Sequence, residues 1–246
     1  MAGNIKTIQE HLAIDLFRML YPDFPGGKLR KSESPDFILQ TSRKISTGIE
    51  ITRLLPDSAH PKIKTPQKKR DVQNQVTQEV ENHYRYFEGM PVWAEIYYNK
   101  ELTIPKNQVR PYAQCITSML FRRMLGRRPG DIFPLRVEKG LPEGTDIVLL
   151  YHHHLFQKIR FESKEGYQIP DLHAETLQSA LQPKEKKLPL YQSGNHDQYW
   201  LIVVIDWLDR TMGLNIDNKI GKWDIRTDFD KLFLLDMGNS KLYTLK

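Results

Sequence analysis

Two stretches of the chain, residues 67–98 and 172–205, each carry a helical pattern followed by a strand-like run. In the first stretch, apolar residues recur at helical spacing, and a β-branched and aromatic run follows a Gly-Met-Pro break. In the second, a helical segment interrupted by Pro183 precedes the strongest candidate for a buried strand, residues 199–205. A helix that joins two parallel strands makes a crossover. The two stretches therefore predict an α/β fold in which both strands join one mixed sheet.

The other elements fit the same sheet. Thr7 and Glu10 have the spacing of a capping box at the start of an N-terminal helix. Further patterns predict short strands up to residue 53 and later elements, namely a helix over 109–124, a strand pair within 146–161 and a closing hairpin over 231–245. No shift in composition marks a boundary. We therefore predict a single domain over residues 1–246, with its core at about 6–98 and residues 108–246 extending the same sheet.

Bulk properties narrow the class of protein. The formal net charge is +6 and the sequence pI is about 9.2, which suits a polyanionic partner. Cys115 is the single cysteine, so an intramolecular disulfide is excluded and a reducing compartment is the simplest interpretation. The N-terminus lacks the apolar core of a signal peptide, and no apolar run is long enough to span a membrane. We expect a cytoplasmic protein that makes no membrane contact.

Two acidic residues stand on two neighbouring predicted strands. Asp36 lies in the segment Ser-Pro-Asp-Phe-Ile-Leu, and Glu50 lies in Gly-Ile-Glu-Ile-Thr-Arg. Alternation along a strand places Glu50 and Thr52 on one face and the flanking isoleucines on the other. If the two strands pair antiparallel, the carboxylates converge within reach of a hard cation such as Mg²⁺. Other Pro-Asp and Glu-x-Lys pairs occur in the chain, but only Asp36 and Glu50 have strand context on both sides.

With Pro35-Asp36 followed by Glu50-Ile51-Thr52, the chain resembles the PD-(D/E)XK nuclease superfamily. That resemblance implies a restriction-endonuclease-like αβββαβ core with a central mixed sheet flanked by helices, plus C-terminal additions. It also implies that Asp36, Glu50 and the backbone carbonyl of Ile51 bind Mg²⁺ or Mn²⁺. Glu10, on the first helix, matches the position of an additional acid in many members, although a capping role explains it equally well.

The chain departs from the superfamily pattern at Thr52, where a lysine is usual. A threonine hydroxyl cannot supply positive charge to the transition state, so either a basic residue comes from elsewhere or the site is impaired. The first option favours Lys184 and Lys187, which lie three residues apart on a predicted helix. Lys69 and Gln73, on the earlier helix, are the other choice.

Two basic clusters could contact phosphate groups. One follows the Glu50 strand directly and contains five charges without an intervening acid, at Lys62, Lys64, Lys68, Lys69 and Arg70. A solvated loop and helix start explains this cluster equally well. The other cluster, Arg122, Arg123, Arg127 and Arg128, lies at a predicted helix end, where the helix dipole favours cations in any case.

The sequence thus predicts a metal-dependent nuclease that hydrolyses nucleic-acid phosphodiester bonds, with DNA favoured over RNA by analogy alone. The alternative is a protein that keeps the nuclease fold without its chemistry and serves as a nucleic-acid-binding or protein-interaction module. Thr52 is the reason to keep this alternative. The sequence is also compatible with a homodimer.

Overall fold

A computed structural model of the chain describes residues 5–41, 44–54, 67–99, 103–128, 130–165, 171–205, 216 and 220–246. Within these ranges the fold is a mixture of helices and strands. The described α-helices are α1 (Ile5–Leu20), α2 (Gln67–Tyr86), α3 (Val109–Met124), α4 (Ala174–Glu185) and α5 (Leu188–Gln192). In the described part of the chain, every helix is too short or too polar to cross a lipid bilayer.

The described strands form two mixed sheets. They are β1 (Gly27–Lys31), β2 (Phe37–Thr41), β3 (Ser46–Arg53), β4 (Trp93–Tyr98), β5 (Phe133–Val137), β6 (Thr145–His152), β7 (Arg160–Glu165), β8 (Gln198–Ile205), β9 (Lys231–Asp236) and β10 (Lys241–Thr244). Single turns of 3₁₀ helix at Lys106–Gln108 and Ile220–Lys222 complete the regular structure of the described residues. The chain divides into two compact units, one formed by residues 1–59 with 169–246 and the other by residues 60–168.

The first unit contains a six-stranded sheet in the order β1-β2-β3-β8-β9-β10. Strands β3, β8 and β9 run parallel at its centre, whereas β1, β2 and β10 add antiparallel edges. Helix α1 packs on one face, where the rings of Phe17 and Phe233 lie 4.8 Å apart. Helices α4 and α5 cover the opposite face, where Leu177 and Leu188 join the buried cluster that contains Leu201. A parallel centre covered on both faces explains why β8 is apolar almost throughout.

The second unit contains a four-stranded sheet in the order β5-β6-β4-β7. Helices α2 and α3 pack on it through a buried cluster that includes Val76, Val80, Ile96 and Leu120. Along α2, the predicted apolar positions Val72, Val76, Val80 and Tyr84 are all buried. The helical period read from the sequence therefore identified the face of α2 that meets the core.

The division into sheets differs from the sequence prediction. Strand β4 was expected beside β1 to β3, but it pairs with β6 and β7, and β8 lies beside β3 instead. The prediction that residues 108–246 extend the first sheet is therefore wrong for β5, β6 and β7, whereas the single domain stays a prediction. Strands β4 and β8 both follow a helix and are similarly apolar, and strand composition does not specify a pairing partner.

Two local predictions also need correction. The segments expected to pair with each other within residues 146–161 do not do so, because β6 and β7 both pair with β4, antiparallel and parallel respectively. Helix α1 begins at Ile5, so Thr7 lies inside the helix and is not its cap. By contrast, the closing hairpin of β9 and β10 is confirmed.

Candidate functional site

Asp36 and Glu50 lie together in the first compact unit. Asp36 immediately precedes β2, and Glu50 is the fifth residue of β3. The two strands pair antiparallel with Phe37 opposite Ile49, so the register brings Asp36 to the level of Glu50. This is the convergence of two acids that the sequence predicted. Both residues are buried, with exposed fractions of 8% and 5%, so their charges interact in a poorly solvated environment.

Each carboxylate is held by a backbone group near the other acid. The N–H of Ile51 donates to Oδ2 of Asp36 at 2.8 Å, and the N–H of Asp36 donates to Oε2 of Glu50 at 3.2 Å. These reciprocal hydrogen bonds tie the start of β2 to β3 through the acids themselves. Because backbone donors are fixed by the sheet, the carboxylate oxygens are preorganised before any ligand arrives.

The pKa of Asp36 is raised above its ordinary value. Burial is the largest cause, and the neighbouring charges of Glu50 and Glu10 act in the same direction. The hydrogen bond from Ile51 and the charge of Lys31 partly oppose this rise. Two buried acids that repel one another are a site where a bound cation would relieve unfavourable electrostatics.

Lys184 supplies a positive charge beside the pair. Its Nζ lies 2.6 Å from Oε1 of Glu50, and the side chain is half-buried on α4. Helix α4 lies on the face of the sheet that bears Glu50, since Leu201, which is in register with Glu50, belongs to the cluster packed against this helix. The structure therefore brings Lys184 to the predicted acids although it is far from them in sequence.

The other predicted residues of the site have varied surroundings. Thr52 is half-buried in β3 on the side of Glu50, and within the described residues its side chain makes no hydrogen bond. Ile51 contributes its N–H to Asp36, and the metal-binding role expected of its carbonyl stays a prediction. Lys187 is exposed between α4 and α5, without an ion pair to any described residue. Of the two lysines predicted from this region, only Lys184 contacts the acids.

Glu10 joins the site through a lysine that the sequence analysis missed. Lys31, the last residue of β1, places its Nζ 2.9 Å from Oε2 of Glu10 and 3.6 Å from Oδ1 of Asp36. The same ammonium donates to the backbone oxygen of Asp36 at 3.0 Å. The short interval between Lys31 and Asp36 in the sequence could have revealed this contact. The β1–β2 hairpin pairs Lys31 with Phe37, the residue next to Asp36.

Tyr191 on α5 is the second residue that sequence reasoning did not select. Its pKa is raised by burial, by the charge of Glu50, by a hydrogen bond to Glu50 and by the charge of Asp36. The phenol therefore keeps its proton and faces the acid pair as a neutral donor. Its helix follows the lysine-bearing α4 directly, and only the packing of α5 on the sheet places the hydroxyl near Glu50.

The five residues of the basic cluster after β3 differ in whether the structure describes them and in how exposed they are. Lys62 and Lys64 lie outside the described residues. Lys68 is exposed, Lys69 is buried and Arg70 is half-buried at the start of α2. These three residues belong to the compact unit of residues 60–168, whereas the acids belong to the other unit. A role in phosphate binding stays a prediction for all five. Gln73 is also buried on α2, in the unit that does not contain the acids.

No family model, curated protein or solved structure matches this chain. The site is therefore interpreted from its own residues. Its donors are carboxylate oxygens, the ligands that Mg²⁺ and Mn²⁺ prefer, and the ammonium groups of Lys184 and Lys31 form ion pairs with them. Such an arrangement can hold one hard cation and place fixed positive charge beside a bound anion.

Proposed function

We propose that this chain is a metal-dependent nuclease that hydrolyses phosphodiester bonds of nucleic acid, with DNA as the first substrate to test. The observation that carries the proposal is the contact of Lys184 with Glu50 at 2.6 Å, beside the reciprocally hydrogen-bonded Asp36. It provides two acids and one ammonium group in one site, although Thr52 stands where the sequence resemblance would place the lysine.

The order of elements in the first unit supports a nuclease-like core. Once residues 60–168 are set aside, the order is helix α1, the three strands β1 to β3, helix α4 with the short helix α5 after it, and strand β8. Strand β8 lies parallel beside β3. In this proposal the restriction-endonuclease-like core is formed by residues on both sides of the second unit, not by residues 6–98.

The residues fit a divalent cation by the chemistry of their donors. Asp36 and Glu50 would hold Mg²⁺ or Mn²⁺, with the carbonyl of Ile51 as a further ligand. Such an ion lowers the pKa of a bound water and offsets negative charge on phosphate oxygens. The pKa of Asp36 is raised mainly by burial and further by the charges of Glu50 and Glu10, and a cation bound here would offset those charges.

The chain's own residues have distinct tasks in this mechanism. Lys184 provides a positive charge aimed at a phosphate group bound next to Glu50, which stabilises the charge that develops during attack. Tyr191, whose pKa is raised by burial and by the nearby charge of Glu50, keeps its proton and presents a neutral hydroxyl beside the acids. Lys31 holds Glu10 and Asp36 together, so it is a positioning residue in this scheme.

A second candidate function is a nucleic-acid-binding or protein-interaction module without catalysis. It is favoured by the ion pairs themselves, since the ammonium groups of Lys184 and Lys31 already neutralise part of the acid cluster. A site of this kind could hold the strands together with no metal ion. The two candidates differ in whether Mn²⁺ binds and whether DNA is cut.

The deciding experiment measures cleavage of supercoiled plasmid and of single-stranded DNA with Mg²⁺ or Mn²⁺. We expect the wild-type protein to cut and Asp36→Asn and Glu50→Gln to lose activity by about 100-fold or more, because each change removes an ionised ligand. Circular dichroism should show that both variants fold. A matched control is Asp23→Asn, an exposed acid of the same unit outside the site.

Cleavage that persists in both variants after identical purification would overturn the proposed site. Calorimetric titration with Mn²⁺ separates the two candidates further. Binding to the wild-type protein but not to Glu50→Gln supports the nuclease, whereas no Mn²⁺ binding and no cleavage supports the module.

A further inference from the structure

A patch of exposed aromatic and basic side chains lies on the second compact unit, where α2 and α3 end. The two helix ends are adjacent, because the ring of Tyr84 stacks on Phe121 at 5.0 Å and its hydroxyl donates to Sδ of Met124 at 3.5 Å. Phe87, just beyond α2, meets Phe121 edge-on at 5.9 Å. These contacts place the residues after both helices on one surface.

The apolar part of this patch is unusually exposed. Tyr86 is 80% exposed, Phe87 is 61% exposed and Leu125 is 81% exposed. The rings of Tyr86 and Phe87 contact each other edge-on at 5.2 Å, so they form a small aromatic surface. Large apolar groups in such a cluster have no structural role that requires their exposure, and they indicate a binding surface.

The basic part of the patch comes from the end of α3 and the turn after it. Arg122, Arg123, Arg127 and Arg128 are all exposed. Among the described residues, none of these four guanidinium groups has a carboxylate partner; the carboxylate of Asp131 accepts a hydrogen bond from the backbone N–H of Arg128 instead. The helix dipole accounts for cations in the last turn of α3, and Arg127 lies over the ring of Phe133 at 4.9 Å, but neither fact accounts for Arg128 or for the exposed rings.

We propose that this aromatic–arginine patch, comprising Tyr86, Phe87, Leu125 and the four arginines, binds single-stranded nucleic acid. Unpaired bases offer free faces for stacking on aromatic rings, and the strand's phosphates match the guanidinium groups. A duplex keeps its base faces stacked inside, so it satisfies the arginines alone. An apolar protein partner satisfies the rings but leaves four positive charges without a counterpart. Of these three ligands, the single strand is the one that matches both halves of the patch.

The inference rests on the proposed function for its class of ligand and extends it to a substrate with unpaired bases. The patch belongs to the unit of residues 60–168, whereas Asp36 and Glu50 belong to the other unit. Binding can therefore be measured with a chelator present, independently of cleavage.

The experiment uses fluorescence anisotropy of the full chain with a labelled oligo(dT) and with a duplex of mixed sequence, in the presence of EDTA. We expect oligo(dT) to bind more tightly than the duplex. Tyr86→Ala/Phe87→Ala should weaken oligo(dT) binding by about tenfold and remove the preference, because stacking contributes ~1–3 kcal/mol per base. Met19→Ala, which removes another exposed apolar side chain (63% exposed), is the matched control and should change nothing.

The contribution of the arginines can be measured separately through the salt dependence of binding. Arg122→Gln/Arg123→Gln should weaken the binding of both oligo(dT) and the duplex. For the single strand it should reduce the magnitude of the slope of log affinity against log salt concentration by about 1.4, since each phosphate contact contributes ~0.7. Arg122→Lys/Arg123→Lys should restore most of the salt slope. The control is Arg110→Gln, an exposed arginine in the first turn of the same helix.

Unchanged oligo(dT) binding in both double variants, with folding confirmed by circular dichroism, would overturn the proposal. Binding to anionic lipid vesicles without affinity for oligo(dT) would also overturn it. If the wild-type protein binds single strands through the patch but cuts no DNA, this inference holds and the proposed nuclease fails. If the protein cuts DNA while the patch variants bind oligo(dT) normally, the proposed nuclease holds and this inference fails.

Discussion

At the residue scale, the site depends on an ammonium group that comes from a helix and not from the strand of Glu50. Lys184 reaches Glu50 from α4, and Thr52 occupies the position two residues after the acid on the same face of β3. A charge acts on a phosphate according to its distance and surroundings, not its place in the chain. The structure thus brings the ammonium group of Lys184 to Glu50, a contact that local sequence could only suggest.

This arrangement predicts a specific loss and a specific rescue. Lys184→Met should reduce DNA cleavage by about 100-fold, because it removes a fixed charge that stabilises the transition state. Lys187→Met, the control on the same segment, should leave the rate within about twofold, since Lys187 is exposed and contacts neither acid. Adding Thr52→Lys to Lys184→Met should recover part of the lost rate. Equal rates for the wild-type and Lys184→Met proteins would exclude the assigned role.

Glu95, a buried acid in the other unit, should make the free energy of unfolding depend on pH. Glu95 is fully buried, Oε1 lies 3.1 Å from Nζ of Lys164, and Tyr97 donates to Oε2 at 2.8 Å. Burial raises the pKa of Glu95 to about 7, a rise that the charge of Lys164 only partly opposes. A raised pKa in the folded state means that the stabilising contribution is complete below the unfolded value of 4.5 and is lost as pH rises through about 7.

We therefore expect the wild-type protein and Glu95→Gln to have similar unfolding free energies near pH 4.5. At pH 8 the variant should be more stable by up to roughly 3 kcal/mol. Denaturant unfolding followed across this pH range measures the difference. Glu162→Gln, which alters the other carboxylate partner of Lys164, should change the pH dependence only slightly, because the charge of Glu162 is the smallest cause of the raised pKa of Glu95. A pH-independent difference between the wild-type protein and Glu95→Gln would contradict the assignment.

The sequence was sufficient to predict which residues lie close together where the proximity depends on a single pair of strands. Asp36 and Glu50 could be matched because strand alternation and a short connection define their faces and register. Lys31 and Tyr191 were missed for different physical reasons. Lys31 requires the register of the preceding hairpin, and Tyr191 requires the packing of a separate helix on the sheet.

At the element scale, the closeness of β2, β3 and β8 depends on a glycine. Gly48 lies in β3, where an added Cβ would stand 2.8 Å from Cγ of Pro35 and 3.1 Å from the ring of Tyr199. Pro35 directly precedes Asp36, and Tyr199 belongs to β8. A larger residue at this position would have to displace the segment that carries one acid or the strand beside the other.

Gly48→Ala should therefore lower the free energy of unfolding by about 1–3 kcal/mol and reduce DNA cleavage, because overpacking moves the segment before β2. Urea denaturation and initial cleavage rates measure the two effects. Gly26→Ala is the control, since its added methyl group would meet no atom within 4 Å. A Gly48→Ala protein with wild-type stability and activity would show that this segment adapts without consequence.

Elements were more predictable than their pairing. The helical period found the long helix α2 and the buried run found β8, because both signals are local. The partner of β4 depends on contacts far apart in sequence, and its apolar composition suits either sheet. Strand β5 was missed since Pro134 interrupts it, and a proline is a poor indicator of a strand even at a sheet edge.

At the scale of the whole molecule, each of the two units has a sheet and a buried apolar cluster of its own. In the proposed function the metal ligands and Lys184 all belong to the first unit. A ligand that binds only the folded state stabilises the structure to which it is attached. Metal binding should therefore stabilise the first unit more than the second.

Hydrogen exchange measured by mass spectrometry tests this expectation. Saturating Mn²⁺ should slow amide exchange in peptides from β2, β3 and β8, and it should leave β4 and β6 nearly unchanged. At 100 times the dissociation constant the stabilisation would be about 2.7 kcal/mol. The same addition to Glu50→Gln should have no effect. Equal protection of both sheets by Mn²⁺ would argue against a site confined to the first unit.

The interruption of the first unit by residues 60–168 also sets an order of events during synthesis. Asp36 and Glu50 are made before the second unit, whereas Lys184 and the central strand β8 are made only after that unit is complete. Domains generally begin to fold as they leave the ribosome, so the inserted unit can form while its host still lacks half of its sheet. The acids and the lysine can therefore come together only after residues 60–168 have been made, and a truncated nascent chain that stops before Lys184 would carry the acids without the ammonium group that contacts Glu50.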